Sequence, residues 1–130
     1  MIPKFRAYDS SSLSRMYQPD EVMVGNGDIW IIDEDDVAGE WIVNNDIHLM
    51  QSTGLKDKNG KEIFEGDIVD YKGREAVVKW HGSYASFIYR FVDGLKERVS
   101  EWDPLFLACY NFEVIGNIYE NPELLEVEDE

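Results

Sequence analysis

Short runs in which apolar and polar residues alternate dominate this chain, rich in β-branched and aromatic side chains and bounded by Gly, Asn and Asp. A period of two is the repeat of a half-buried strand, and runs this short do not make helices. The chain is therefore expected to be mainly β. Phe5 to Tyr8 alternates and breaks at Asp9 and the serines behind it, and Arg15-Met16-Tyr17 returns as a partner before Pro19 stops it. Asp28 to Ile32 and Trp41 to Val43 are two further strands, separated by the acidic run Asp33 to Asp36, which reads as a solvated turn. Ile47 to Met50 then leads into the middle of the chain.

From Gly66 onward the pattern is cleaner. Gly66 can take the positive φ of a sharp entry, Asp67 to Lys72 alternates, and Gly73 turns the chain into Ala76 to Trp80. After a turn at His81-Gly82-Ser83, Phe87 to Val92 alternates again, and Asp93-Gly94 is a hairpin signal before Arg98-Val99-Ser100. Asp103 before Pro104 reads as an N-cap and first helical residue, so one or two short helical turns are expected over Pro104 to Tyr110, with a buried strand as the alternative. Phe112 to Tyr119 closes as a last strand with a bulge at Gly116, and Asn121-Pro122 caps a final turn. These elements suit a small SH3-like, partly closed barrel over residues 55–125. Residues 1–54 form an N-terminal β extension and residues 126–130 an acidic tail. Inward candidates are Ile68, Val77, Trp80, Phe87, Tyr89, Phe91, Val114, Ile115 and Ile118.

Composition narrows the function classes. With 130 residues, 44% of them hydrophobic and 13% aromatic, the chain can bury a real core despite its net charge of -15, so it is not a disordered chain. Residues 1–54 hold 3 basic and 10 acidic side chains (net -7), residues 55–112 hold 9 and 10 (net -1), and residues 113–130 hold 0 and 7 (net -7). Acidic flanks repel polyanions, so direct nucleic-acid binding is not expected. No apolar run approaches a membrane span, and Met1-Ile2-Pro3-Lys4 opens no signal-peptide core, so a cytoplasmic protein is expected. Cys109, the only cysteine, allows no intrachain disulfide and no thiolate zinc site.

Catalytic and metal patterns are weak. No serine sits in a G-x-S-x-G elbow, His48 and His81 stand alone, and Cys109 lies in an apolar run with no neighbouring base. With 27 acids, spacing between carboxylates carries no information about acid and base catalysis. Gly25-Asn26-Gly27 is not followed by the helix that a phosphate loop requires. Asp57-Lys58-Asn59-Gly60 could suggest a calcium loop, but Gly60 is fourth rather than sixth and Lys61 would fall among the ligands. A structural turn is favoured, in which Asn59 and Gly60 tolerate left-handed φ and Gly66 acts as a hinge. No catalytic residue, cofactor or metal is expected. The tryptophans leave more room for function: Trp30 and Trp41, with Ile32 and Val43, either cover the barrel within the chain or form a subunit interface.

The segment Gln51 to Val69, with Gly54, Asp57, Asn59, Gly60, Gly66 and Asp67, closely resembles the signature of the YopX family of phage and prophage proteins. The resemblance extends to Lys4-Phe5-Arg6-Ala7-Tyr8-Asp9 and to the stretch from Val114 to Leu125, including Gly116, Asn121 and Pro122. It departs at Ser52, where an aromatic residue is expected, and between about Asp20 and Ile47. It implies a β-rich fold, phage or prophage origin and self-association, and it brings no activity or site residues with it.

The expected function is a non-catalytic, self-associating interaction module, at least a dimer, in the cytoplasm of a bacterial host, with a host protein as a further candidate partner. The alternative is an acidic nucleic-acid mimic that sequesters a host DNA-binding protein, and an uncharacterised hydrolase comes third.

Overall fold

The computed structural model describes residues 4–11, 14–33, 39–92 and 103–125. The chain divides into two compact units, Met1–Ser52 and Thr53–Glu130. Expectations for the strand at Arg98 to Ser100, the turn at Asp93-Gly94, the acidic residues 34–36 and the tail at 126–130 fall outside the described residues. No helix among the described residues is long and apolar enough to cross a membrane.

In the first unit, β1 (Phe5–Asp9) and β2 (Arg15–Tyr17) form the opening hairpin, with Ala7 opposite Tyr17. Asp9 starts its turn by accepting the Ser11 N–H at 2.9 Å, the side-chain-to-backbone bond that makes Asp a turn residue. A single 3-10 turn at Pro19–Glu21 leads into β3 (Val22–Gly25), a strand that the alternation did not announce. Asn26 and Gly27, at φ 52 and 78, make the two-residue turn into β4 (Asp28–Ile32), and β5 (Trp41–Val43) completes a three-stranded antiparallel sheet in the order β3-β4-β5. The start of β6 (His48–Lys56) pairs with β1, placing Ala7 opposite Leu49. The core here is Ala7, Tyr17, Ile31 and Ile47, with Val22, Ile29, Ile32 and Leu49 packed against it.

The second unit contains β7 (Glu62–Phe64), β8 (Asp67–Tyr71), β9 (Arg74–His81), β10 (Ser86–Phe91), β11 (Asp103–Pro104) and β12 (Glu113–Asn117). β8 to β12 form one curled antiparallel sheet in the order β11-β10-β9-β8-β12. The fold is thus mainly β, with a partly closed sheet and short 3-10 turns. Lys72 and Gly73, at φ 52 and 88, make the tight turn between β8 and β9. Ile63, Val69, Ala76, Val78, Leu105, Cys109 and Phe112 form the core, and the Tyr89 ring meets Phe112 edge-on at 4.8 Å.

Ile68 and Val77 are buried as expected; the adjacent Val69 and Ala76, which pair on the other face, are buried too, so β8 and β9 are covered on both faces. Two other facing expectations are corrected. Trp80 is 47% exposed: it lies near the end of β9, and its ring meets Phe87 edge to face with centroids 5.0 Å apart. Ile115 is 39% exposed because the bulge expected at Gly116 makes it the unpaired extra residue between Val114, opposite Val69, and Gly116, opposite Ile68.

The helical turns expected over Pro104 to Tyr110 form as 3-10 turns, but the N-cap expected to open them does not. Asp103 and Pro104 belong to β11, paired with Tyr89 and Ile88, so Asp103 is no N-cap. Two separate 3-10 turns follow, Leu105–Leu107 and Cys109–Asn111, broken at Ala108. Leu105 and Cys109 are buried while Phe106 and Tyr110 face out, so the segment is not apolar all round in its packing.

Candidate functional site

The motif residues come first, because their geometry decides whether they are a site or a scaffold. Asp57 is 5% exposed, and both carboxylate oxygens are occupied. Oδ1 accepts the N–H groups of Asn59 and Lys61 at 2.9 and 2.8 Å, and Oδ2 accepts that of Val114 at 2.9 Å. Burial by itself opposes ionisation, but the backbone bonds from Val114, Lys61 and Asn59 and the Lys61 charge outweigh it and hold the carboxyl below the ordinary aspartate value. A carboxylate used in this way is a staple between a turn and a strand. Gly60 carries the left-handed φ of the turn, at 81, and Asn59 is not left-handed.

The remaining motif residues are architectural too. Gly54 kinks β6 at φ 75, where the Thr53 hydroxyl donates to the Ile63 carbonyl at 2.7 Å. Gly66, at φ 88, donates its N–H to Val78 and accepts from Ile118, and the buried Asp67 accepts the Phe64 N–H at 2.8 Å. The hinge expected at Gly66 is thus a three-way backbone junction. Buried Asn117 accepts from Tyr119 and Glu120, and Asn121 Oδ1 accepts the Asn117 N–H at 3.2 Å. A Cβ on Gly116 would stand 2.5 Å from that Oδ1, so glycine is required there by close approach. Pro122 opens the closing 3-10 turn Pro122–Leu125.

Titratable side chains do not converge. Among the described residues no group of three or more His, Cys, Asp or Glu lies together. His48 Nε2 shares a 3.0 Å hydrogen bond with the Ser10 hydroxyl, His81 lies edge-on to Tyr84, and Cys109 is buried in the core. Burial first, then Asp103 and Tyr71, pushes the Tyr89 phenol up, and burial with Arg90 nearby pushes Lys79 down; Tyr89 pairs with Val78 and Lys79 with Ile88, so the two lie on opposite faces of the sheet.

The apolar residues singled out in the first unit, by contrast, do come together. Register places Met23 opposite Trp30 and Trp30 opposite Val43, and places Ile32 opposite Trp41. Cross-strand partners share a face, so these five form one apolar surface on the β3-β4-β5 sheet. Ile31, on the reverse face, faces the core. Met23, Trp41 and Val43 are 49%, 38% and 45% exposed, while Trp30 and Ile32 are half-buried, Ile32 reaching the core cluster as well. Trp30, Ile32, Trp41 and Val43 were legible from the sequence; Met23 was not, because β3 itself was missed. The sheet is fixed from its end by Asn45, which accepts the Ile29 N–H at 2.9 Å and donates to Asp28 at 3.0 Å.

Two units of antiparallel strands, a curled five-stranded sheet and turns locked by buried Asp and Asn side chains define a mainly β protein whose motif residues serve its backbone. The chain belongs to the YopX family: the family model described as YopX protein matches residues 4–126. The chain is similar to protein EF1440 from Enterococcus faecalis, whose crystal structure aligns with a TM-score of 0.58 and 31% identity. The match covers 97% of this chain and 99% of that one. No curated protein matches.

Proposed function

We propose that this protein is a phage- or prophage-encoded, non-catalytic interaction module of the bacterial cytoplasm that self-associates through its β3-β4-β5 sheet, with Trp41 and Val43 in the interface. The observation that carries this reading is the register that lines Met23, Trp30 and Val43 across the sheet beside Ile32 and Trp41, with three of the five well exposed. An apolar surface of this kind on a small sheet is stabilised by removal from water, at roughly 25 cal/mol per Å² of apolar area covered. The motif residues add support in a different way: their side chains are committed to backbone turns in the second unit and leave no convergent polar groups for chemistry.

Sedimentation velocity of the full chain and of Trp41→Lys tests it. The wild type is expected to sediment as a dimer or larger, and the variant, with a charge placed in the surface, as a monomer. Identical sedimentation of the two proteins would remove the sheet from any interface.

A further inference from the structure

The free edge of the β3-β4-β5 sheet has a pattern of its own. The Asp33 N–H donates to the Glu40 carbonyl at 2.7 Å and the Asn44 N–H to the Ile29 carbonyl at 2.9 Å. In an antiparallel ladder, hydrogen-bonded and non-hydrogen-bonded pairs alternate. Ile31 with Ile42 is therefore a bonded pair, and Ile32 with Trp41 and Trp30 with Val43 are not. It follows that the backbone N–H and C=O of Ile42 point into the sheet, while those of Trp41 and Val43 point away from β4. In the order β3-β4-β5, no described strand pairs with this side of β5.

We infer that β5 is a strand-addition edge for a second copy of the same chain, joined antiparallel about a two-fold axis beside Ile42. This rests on the self-association reading above and places its contact at the β5 edge, where Trp41 and Val43 meet the partner; pairing there lengthens the apolar row across two copies and does not by itself cover the face. Two outward-facing residues on either side of one inward-facing residue make a self-complementary pattern. Trp41 bonds the partner's Val43, Val43 bonds the partner's Trp41, and four backbone hydrogen bonds form with Ile42 facing the partner's Ile42 as a non-bonded pair.

Strand length selects this register. β5 is only Trp41–Val43, and pairing about Ile42 sets both outward-facing residues against strand residues of the partner. Shifting so that Val43 faces the partner's Val43 sets Trp41 opposite the partner's Asn45, which lies in the turn after β5. Shifting the other way, so that Trp41 faces the partner's Trp41, sets Val43 opposite the partner's Gly39, which has a left-handed φ of 68 and is not extended. Trp41 and Val43 share a face, so the favoured register also packs each Trp41 ring beside the partner's Val43. The apolar row then continues without a break through a six-stranded sheet.

Two substitutions in the full-length protein test the edge. Ile42 is 42% exposed, so Ile42→Cys leaves the core intact. Cα atoms in a non-bonded antiparallel pair lie about 4.5 Å apart, within disulfide reach. Mild oxidation should convert most of Ile42→Cys into a species of about 30 kDa on a non-reducing gel, twice the 15.1 kDa chain, while the wild type with its buried Cys109 stays at single mass. Val43→Pro removes an N–H that β4 does not use, a position where proline is tolerated in an edge strand. It should keep the far-ultraviolet circular dichroism of the wild type and weaken the dimer at least tenfold. A wild-type dimer that Val43→Pro leaves intact, with no disulfide from Ile42→Cys, would overturn the edge geometry and leave self-association standing. A wild-type monomer would overturn both.

Discussion

Asp57 Oδ2 accepts the N–H of Val114 at 2.9 Å across 57 residues of chain. That one bond ties the turn ahead of β7 to the first residues of β12, and the Lys58 N–H reinforces it by donating to the Phe112 carbonyl at 2.9 Å. Removing the carboxylate would strand three N–H groups. Asp57→Ala should lower the unfolding free energy by about 3 kcal/mol, since hydrogen bonds to a charged acceptor are worth roughly 1.5–3 kcal/mol each and are not additive. Urea denaturation at neutral pH measures it, and a loss below about 1 kcal/mol would show that the turn holds without its staple.

The same carboxylate sets a pH dependence. Its folded pKa lies below the ordinary aspartate value of 3.8, so the folded state binds fewer protons than the unfolded state in the acid range. The stability that Asp57 contributes is complete above the unfolded pKa and disappears as pH falls through the folded one. Asp57→Asn, which cannot titrate, should therefore be destabilised at pH 7 and lose less of its remaining stability than the wild type between pH 5 and pH 2.5. Parallel stability curves would contradict this.

Gly116→Ala places a methyl 2.5 Å from Asn121 Oδ1 and must displace the side chain that accepts the Asn117 N–H. A loss of about 1–3 kcal/mol is expected, in the range of overpacked sites. Asn121→Ala removes both the clash and the bond, so the double variant should be more stable than the sum of the single losses predicts. Strict additivity in a double-mutant cycle would mean that the two residues do not meet.

How much of this was legible varies from residue to residue. The ends of β2, β4 and β5 agree with the alternation because strong turn residues bound each run. The alternation does not announce β3, because the run Val22 to Val24 is too short to show a period; Asn26-Gly27, a hairpin turn signal, marks only its end. Gly66 and Gly60 were legible because a positive φ is a local demand. The Asp57 partner was not: Val114 is fixed by tertiary structure, and nothing near Asp57 in the chain specifies it. Trp80 and Ile115 were misread for the same reason, as strand-end position and bulge phase decide their facing rather than parity.

Ionic strength separates the proposed assembly from the acidic-mimic alternative. Two copies of a chain with net charge -15 repel, so screening should strengthen a self-association driven by apolar surface and backbone pairing. A complex of acidic flanks with a basic protein would instead weaken as salt rises. Dimer dissociation constants in 50 mM and 500 mM sodium chloride should differ in the first sense, and tighter dimers at low salt would point to charge pairing between copies.

The most direct measurement is the molar mass of the wild-type protein by multi-angle light scattering at about 50 μM, read together with the Trp41→Lys and Val43→Pro variants. Self-association through the β3-β4-β5 sheet predicts about 30 kDa or a higher multiple for the wild type, and the 15.1 kDa chain mass for both variants. A wild type at 15.1 kDa at that concentration would contradict it.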